Sequence, residues 1–206
     1  MKRIEIHPVN PQSRLIRQVA EQFQTGALVA LPTDASYVLA CHLEDRTAVD
    51  RMRQLRGIDE KHLLTLLCRD LSELSQYAQV DNRQFRFLKE WTPGAYTFIL
   101  PATREVPRRL MHPSRKTVGL RVPEAPIVQA LLAELGVPLL CASLILPGDE
   151  DPLSDPDDIE DRIGKRIDLL VDGGAGQLEP TSVIDVTGDE PVIQRVGLGP
   201  VEAMLR

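Results

Sequence analysis

The 206-residue sequence predicts a single α/β domain, and three observations carry that prediction. Short aliphatic runs alternate with stretches of helical spacing along the whole chain, as in folds where strands and helices take turns. One run, Leu63 to Cys68, is apolar throughout except for Thr65, which is expected of a strand covered on both faces. The length suits one domain with a sizeable core, and neither an internal repeat nor a low-complexity stretch divides it.

Element by element, Ile4 to Ile6 reads as a short strand. Ser13 to Phe23 places Leu15, Ile16, Val19, Ala20 and Phe23 at helical spacing, and Gly26 just beyond suits a left-handed cap. Ala27 to Leu31 and Val38 to Cys41 read as strands. Thr47 to Leu55 is a helix with Val49, Met52 and Leu55 on one side, and its end carries Arg51, Arg53, Gln54 and Arg56. Asp70 caps a helix with Glu73 three residues on, and Asp81 to Trp91 repeats the pattern. Trp91 to Pro101 is a Thr-Pro-Gly turn leading into a strand, and Thr117 to Val122 is a strand that stops before Pro123. Ala125 to Leu135 is helical and Pro138 to Leu144 extended. An acidic loop from Pro147 follows, then a helix from Ser154 or Asp155 through Ile163. Ile167 to Val171 is a strand running into Asp172-Gly-Gly-Ala-Gly, whose glycines lack the spacing of a nucleotide fingerprint. Thr181 to Val186 and Val192 to Arg195 are the last strands, and Pro200 to Leu205 is a short closing helix.

Net charge is -6, unevenly distributed. Residues 1–50 carry 5 basic and 6 acidic side chains, residues 51–121 carry 14 and 7, and residues 122–206 carry 5 and 17. Such asymmetry fits a basic concavity that attracts phosphate, with ordinary surface decoration as the plain alternative. No stretch of eighteen apolar residues occurs, and the N-terminus alternates charged with aliphatic residues, so a soluble, cytoplasmic protein with no membrane partner is expected. Cys41, Cys68 and Cys141 are widely spaced beside apolar runs, which predicts buried thiols. His7, His42, His62 and His112 show no metal-binding spacing, so no protein-ligated metal is expected.

The segment Pro32-Thr33-Asp34, continuing to Tyr37, sets hydroxyls, a carboxylate and free backbone donors at a strand end, where ligands are commonly held. It reads as a site loop; a Pro-Thr-Asp turn between two strands is the alternative. Together with Arg56 at a helix end, Thr92-Pro93-Gly94-x-x-Thr97-Phe98, Thr117-x-x-x-Arg121-x-Pro123, Ser143, Thr181-Ser182-Val183-Ile184-Asp185 and Arg195-x-Gly197, it resembles the YrdC/YciO family over nearly the whole chain. That resemblance implies one YrdC-like domain over residues 1–206, with a twisted mixed sheet flanked by helices around a basic cavity. It also implies a chemistry. Characterised members are threonylcarbamoyl-adenylate synthases, which convert threonine, bicarbonate and ATP to threonylcarbamoyl-AMP and pyrophosphate for the t6A modification of tRNA. ATP with accompanying Mg2+, L-threonine and bicarbonate are the partners implied. By family position Arg56, Thr117 and Arg195 fall on the nucleotide side, and Arg121, Ser143 and Thr181 on the threonine or carbamate side. The residues suit such a reaction: adenylation needs fixed positive charge and donors that hold nucleophile and leaving group in line. Arg121 suits a carboxylate because its planar fork can meet both oxygens.

The chain also departs from the family pattern. The synthase motif Lys-x-Arg is Gln54 and Arg56 here, Ser-x-Asn is Ser143 and Ile145, and Ala35 stands where the Pro-Thr-Asp loop usually carries a second threonine. Each lost polar or charged contact costs about 1–3 kcal/mol of binding. The pattern therefore resembles a YciO-like branch, and a nucleotide-binding paralogue with weak or altered activity is expected. Arg53, Lys61 and His62 are candidates to replace the missing lysine. No general base is assigned, and Asp34 and Tyr37 are expected to shape the loop. The alternative is a protein that binds double-stranded RNA or tRNA, as family members have been associated with both. Its patch would be Arg104, Arg108, Arg109, Arg115 and Lys116, set against an A-form backbone. A non-catalytic partner in a modification complex is a third reading.

Overall fold

In the computed structural model, which describes residues 1–205, the alternation becomes a ten-stranded mixed sheet. In chain order the elements are β1 (Lys2–Glu5), α1 (Ser13–Gln24), β2 (Val29–Leu31), β3 (Val38–His42), α2 (Arg46–Arg56), β4 (Thr65–Leu67), α3 (Leu71–Tyr77) and α4 (Asn82–Trp91). Then follow β5 (Tyr96–Pro101), β6 (Thr117–Arg121), α5 (Pro126–Leu135), β7 (Leu139–Ser143), α6 (Pro156–Ile163), β8 (Leu169–Asp172), β9 (Ser182–Asp185) and β10 (Val192–Arg195). The strands lie in the order β1-β8-β2-β3-β7-β4-β6-β5-β9-β10. Parallel pairs β1/β8, β2/β8, β4/β6 and β5/β9 are interleaved with antiparallel ones.

Local chemistry sets the element ends. Asp45 accepts from the Ala48 N–H at 2.9 Å to start α2, and Gly57, in the left-handed region at φ 64°, ends it just after Arg56. Asp70 caps α3 through the Glu73 N–H, and Asp81 with Gln84 forms a reciprocal capping box on α4. Most strands are shorter than their apolar runs. β2 starts at Val29 because the Ala27 N–H bonds to the Gln22 carbonyl and the Leu28 N–H to Asp168 Oδ2, at 3.0 and 2.8 Å. The closing helix is a 3-10 turn, Glu202–Leu205.

The helices cover the two faces of the sheet unequally. On one face, Val49, Met52, Leu55, Leu74, Leu88, Ile159 and Ile163 pack on Leu39, Leu66, Phe98, Leu120, Leu140, Leu170 and Ile184 from nearly the full width of the sheet. On the other, α1 and α5 bring Ile16, Val19, Phe23, Val128, Leu131 and Leu132 down onto Val29, Leu31, Val38, Leu139 and Val171. That second layer reaches Leu67 of β4 and includes no residue of β5, β6, β9 or β10. Because side chains alternate across a strand, Thr65, Thr97, Gly119, Arg121 and Val183 share this uncovered half-face.

Two features at the last strands complete it. Ile193 pairs with Ile184, but Arg195 pairs with Val183, so a bulge inserts one residue between them. Without it Arg195 would share the buried face of Ile193; with it the guanidinium turns to the open face. Gly197 then passes so close to the preceding loop that a Cβ there would lie 2.3 Å from the Pro180 carbonyl oxygen and 2.6 Å from the Thr181 backbone. Its N–H donates to Ser182 Oγ at 2.8 Å. Gly197→Ala is therefore expected to displace Thr181 and lower stability by about 1–3 kcal/mol, read as a lower urea midpoint at unchanged slope.

Candidate functional site: a basic cavity

The uncovered half-face holds a cavity of about 210 Å3. Arg56, His62, Thr65, Thr97, Arg121, Ser143, Thr181 and Arg195 line it, with Val38, Ile99, Ile145 and Val183 as its apolar wall. Gly119 packs directly against two of these residues: a Cβ there would meet Thr65 Oγ1 at 2.9 Å and the Thr97 methyl at 3.3 Å.

Arg56 arrives on the last turn of α2. Its Nη1 donates to the Ile145 carbonyl, and its Nε is buried without a partner. Arg195 donates from Nε and Nη2 to the Thr181 carbonyl at 3.2 and 2.8 Å. The Thr181 and Thr97 hydroxyls share a 2.7 Å hydrogen bond in the floor. Among the described residues, neither guanidinium has a carboxylate within ion-pair range. Burial, then the charge of Arg195, lowers the pKa of Arg56, and burial lowers that of Arg195. A guanidinium does not give up its proton in proteins, so both stay cations and leave the cavity with positive charge unneutralised by protein.

Arg121 differs. It is 4% exposed, and its Nη2 donates to Asp34 Oδ1 at 2.5 Å and more weakly to Thr33 Oγ1 at 3.4 Å. Asp34 is held in turn by the Glu124 N–H, 2.9 Å from Oδ2. The Arg121 Nε is buried without a partner. The fork expected to grip a substrate carboxylate thus already serves an internal one on Nη2, which leaves Nε unused.

The site loop stands behind the cavity instead of lining it. The Thr33 hydroxyl donates to the Ser36 carbonyl at 2.8 Å and accepts from the Ala35 N–H at 3.0 Å, so the local turn uses it. Tyr37 is fully buried: its hydroxyl donates to the Gly174 carbonyl at 2.7 Å and accepts from the Gly173 N–H at 3.2 Å. Burial pushes that phenol up to about 12. Thr117, placed on the nucleotide side by family position, does not join the others. It is buried at the far end of β6 beside Pro101, outside the lining, because a five-residue strand separates it from Arg121.

Among the departures, Ile145 lines the cavity, Gln54 is exposed outside it, and Ala35 is buried. Arg53 is committed to the Asp59 carbonyl at 2.5 Å, so it does not replace the missing lysine. His62 does reach the cavity, and no motif had singled it out above its neighbours. The available signal was Asp59, whose Oδ1 accepts from the Lys61 and His62 N–H groups at 2.9 and 3.2 Å and turns the loop toward Arg56. Cys141 also lines the cavity, but burial pushes its thiol up to about 12, so it is no nucleophile at neutral pH.

The basic patch is reduced in the same way. Arg109 is half-buried and donates to the Leu43 carbonyl at 2.9 Å, because it packs the loop onto the sheet core. Arg115 lies 3.8 Å from Asp185. Arg104, Arg108 and Lys116 remain around a groove of about 660 Å3. Another groove, about 600 Å3, lies beside Arg69, Lys89 and Pro126, but no buried unpartnered donor faces it. Among the described residues no cluster of three or more His, Cys, Asp or Glu is placed to hold a metal, and no helix is long and apolar enough to cross a membrane.

Fold and cavity together define an α/β domain with a half-covered mixed sheet whose open half-face gathers cationic side chains around one cavity. Residues 21–197 match the Sua5/YciO/YrdC family model, described as "Telomere recombination", and the chain belongs to that family. It is 52% identical over 200 residues to YciO of Escherichia coli K12, covering 97% of each chain. The crystal structure of E. coli YciO superposes with a TM-score of 0.96 over 99% of this chain and 100% of that one, at 51% identity. More distant relatives are threonylcarbamoyl-AMP synthases, such as that of Halorhodospira halophila, 31% identical over 172 residues, 82% of this chain and 89% of the relative. Pyrococcus abyssi Sua5 complexed with L-threonine matches with a TM-score of 0.89 at 27% identity, over 99% of this chain and 60% of that one.

The buried pair yields a stability prediction. Asp34→Ala strands the Arg121 charge and is expected to cost about 3–5 kcal/mol. Urea unfolding measures it, and a loss within 0.5 kcal/mol would mean that water replaces the carboxylate at about no cost.

Proposed function

We propose that the protein binds ATP with its phosphates against Arg56 and Arg195, binds threonine as its carbamate near Arg121, Ser143 and Thr181, and forms threonylcarbamoyl-AMP slowly. The observation that carries this reading is the pair of guanidiniums without carboxylate partners, Arg56 and Arg195, in a cavity whose remaining lining is His62, Cys141, the Asp34-paired Arg121, hydroxyls and aliphatic groups. A cavity of about 210 Å3 is smaller than the usual range of about 300–1,000 Å3 for whole ligands. It suits the reacting phosphate and carbamate, with the adenosine part at the mouth.

In this reading the carbamate oxygen attacks the α-phosphate, the bond to the β-phosphate oxygen breaks, and pyrophosphate leaves with the electron pair. The two arginines hold the phosphate charge while it moves, and the Ser143 and Thr181 hydroxyls orient the carbamate. No covalent nucleophile is needed. Magnesium would arrive with the nucleotide. Ile145 presents an aliphatic chain where active synthases carry an amide, which supports a reduced rate.

Pyrophosphate release by the purified protein, with the adenylate identified by mass spectrometry, is the test. Release is expected to require threonine, bicarbonate and ATP, to fall at least about tenfold in Arg195→Ala, and to rise in Ile145→Asn. ATP binding without threonine-dependent release would leave a nucleotide-binding protein and remove the synthase assignment.

A second reading, duplex RNA binding, is favoured by the groove at Arg104, Arg108 and Lys116, whose lining includes no carboxylate. Three phosphate contacts predict that log affinity falls with log salt at a slope of about -3 or shallower. A salt titration by filter binding measures it, and Arg104→Ala/Arg108→Ala should flatten the slope by about 2. Binding with an unchanged slope in that variant would place RNA elsewhere or nowhere specific.

A further inference from the structure

Besides Arg121, which Asp34 neutralises, the cavity lining carries three cationic or cation-forming groups, Arg56, Arg195 and His62, and only two of them are arginines. His62 sits on the loop after α2, exposed to solvent on one side and lining the cavity on the other. The Asp59 turn fixes its backbone. The charges that act on its ring are Arg56 and Arg53 from α2, Arg195 from β10, and Asp59 from its own loop. Asp59 is the one carboxylate in this set, set against three guanidiniums.

Resting on the nucleotide reading above, we infer that His62 is a ligand-contacting residue whose imidazole completes the ring of cations around the phosphates and takes up a proton when they bind. The physical reason is the change of neighbours. In the free protein, partial burial and the nearby guanidiniums hold the imidazole below its ordinary 6.5, so it is neutral at pH 7. A polyanion placed between Arg56 and Arg195 cancels their repulsion and adds attraction for the charged ring. Both changes favour protonation. Linkage then requires that affinity for the phosphates rise as pH falls through the interval between the free and the bound titrations. Histidine thus supplies, conditionally, the third positive charge that a lysine supplies permanently in the synthase motif.

The assignment separates His62 from a structural loop residue. Its ring makes no hydrogen bond to the protein among the described residues, in contrast to His7, His42 and His112, whose Nδ1 atoms each accept a backbone N–H. Those three rings brace turns. Both nitrogens of the His62 ring are without a protein partner among the described residues.

The test is calorimetric titration of ATP with magnesium into the full chain and into His62→Gln, at pH 6 and pH 8 and in two buffers of different ionisation enthalpy. The protons of ATP itself are common to both proteins and cancel in the comparison. The wild-type protein is expected to take up more protons than His62→Gln at pH 7, and its affinity advantage over the variant to grow about three- to tenfold from pH 8 to pH 6. Equal proton uptake and a pH-independent ratio would overturn the inference while leaving nucleotide binding intact. Absence of ATP binding by the wild-type protein would overturn the nucleotide reading and this inference with it. Unchanged unfolding midpoints in His62→Gln establish that any difference arises in the cavity.

Discussion

The contact between Arg121 and Asp34 is the interaction on which the site depends. Arg121 lies on β6 at the border between the half-face sealed by α1 and α5 and the half-face left open. A guanidinium 4% exposed needs a carboxylate, and Asp34 supplies it from the loop between β2 and β3. Glu124, leading into α5, ties the same carboxylate through its N–H. One buried pair therefore joins the strand-end loop, β6 and the segment leading into α5, at the border of the helical layer.

Beyond that border the charge balance reverses. Arg121 is neutralised inside the protein, whereas Arg56 and Arg195 are positioned only by backbone carbonyls, of Ile145 and Thr181. A carbonyl holds a guanidinium in place but does not cancel its charge. The cavity thus combines rigid placement with unmet electrostatic demand, as expected where a ligand rather than the protein is to supply the anion. The apolar wall of Ile99, Ile145 and Val183 lowers the local dielectric and strengthens that demand. One of its members, Ile145, also stands where resemblance to the synthases implies an amide, so the wall is apolar at a position expected to be polar.

Much of this was legible in the chain itself. The alternation of strands and helices, the caps at Asp70 and Asp81, the left-handed glycine at Gly26 and the burial of the three cysteines follow from local pattern, because each depends on a few neighbouring residues. Arg56, Arg121, Ser143, Thr181 and Arg195 were found by motif order, and the fold brings these five to one cavity.

Tertiary structure alone decided the rest. Tyr37 turns into the core and braces the Gly173–Gly174 loop, Arg109 is drawn to Leu43, and Thr117 stays at the far end of its strand. A single bulge sends Arg195 to the open face, and His62 reaches the cavity from the loop after α2, which Asp59 turns. Residue type and spacing determine which elements form and which side chains carry charge. Which charges find partners depends on contacts between residues far apart in sequence, and periodicity carries no information about those distances.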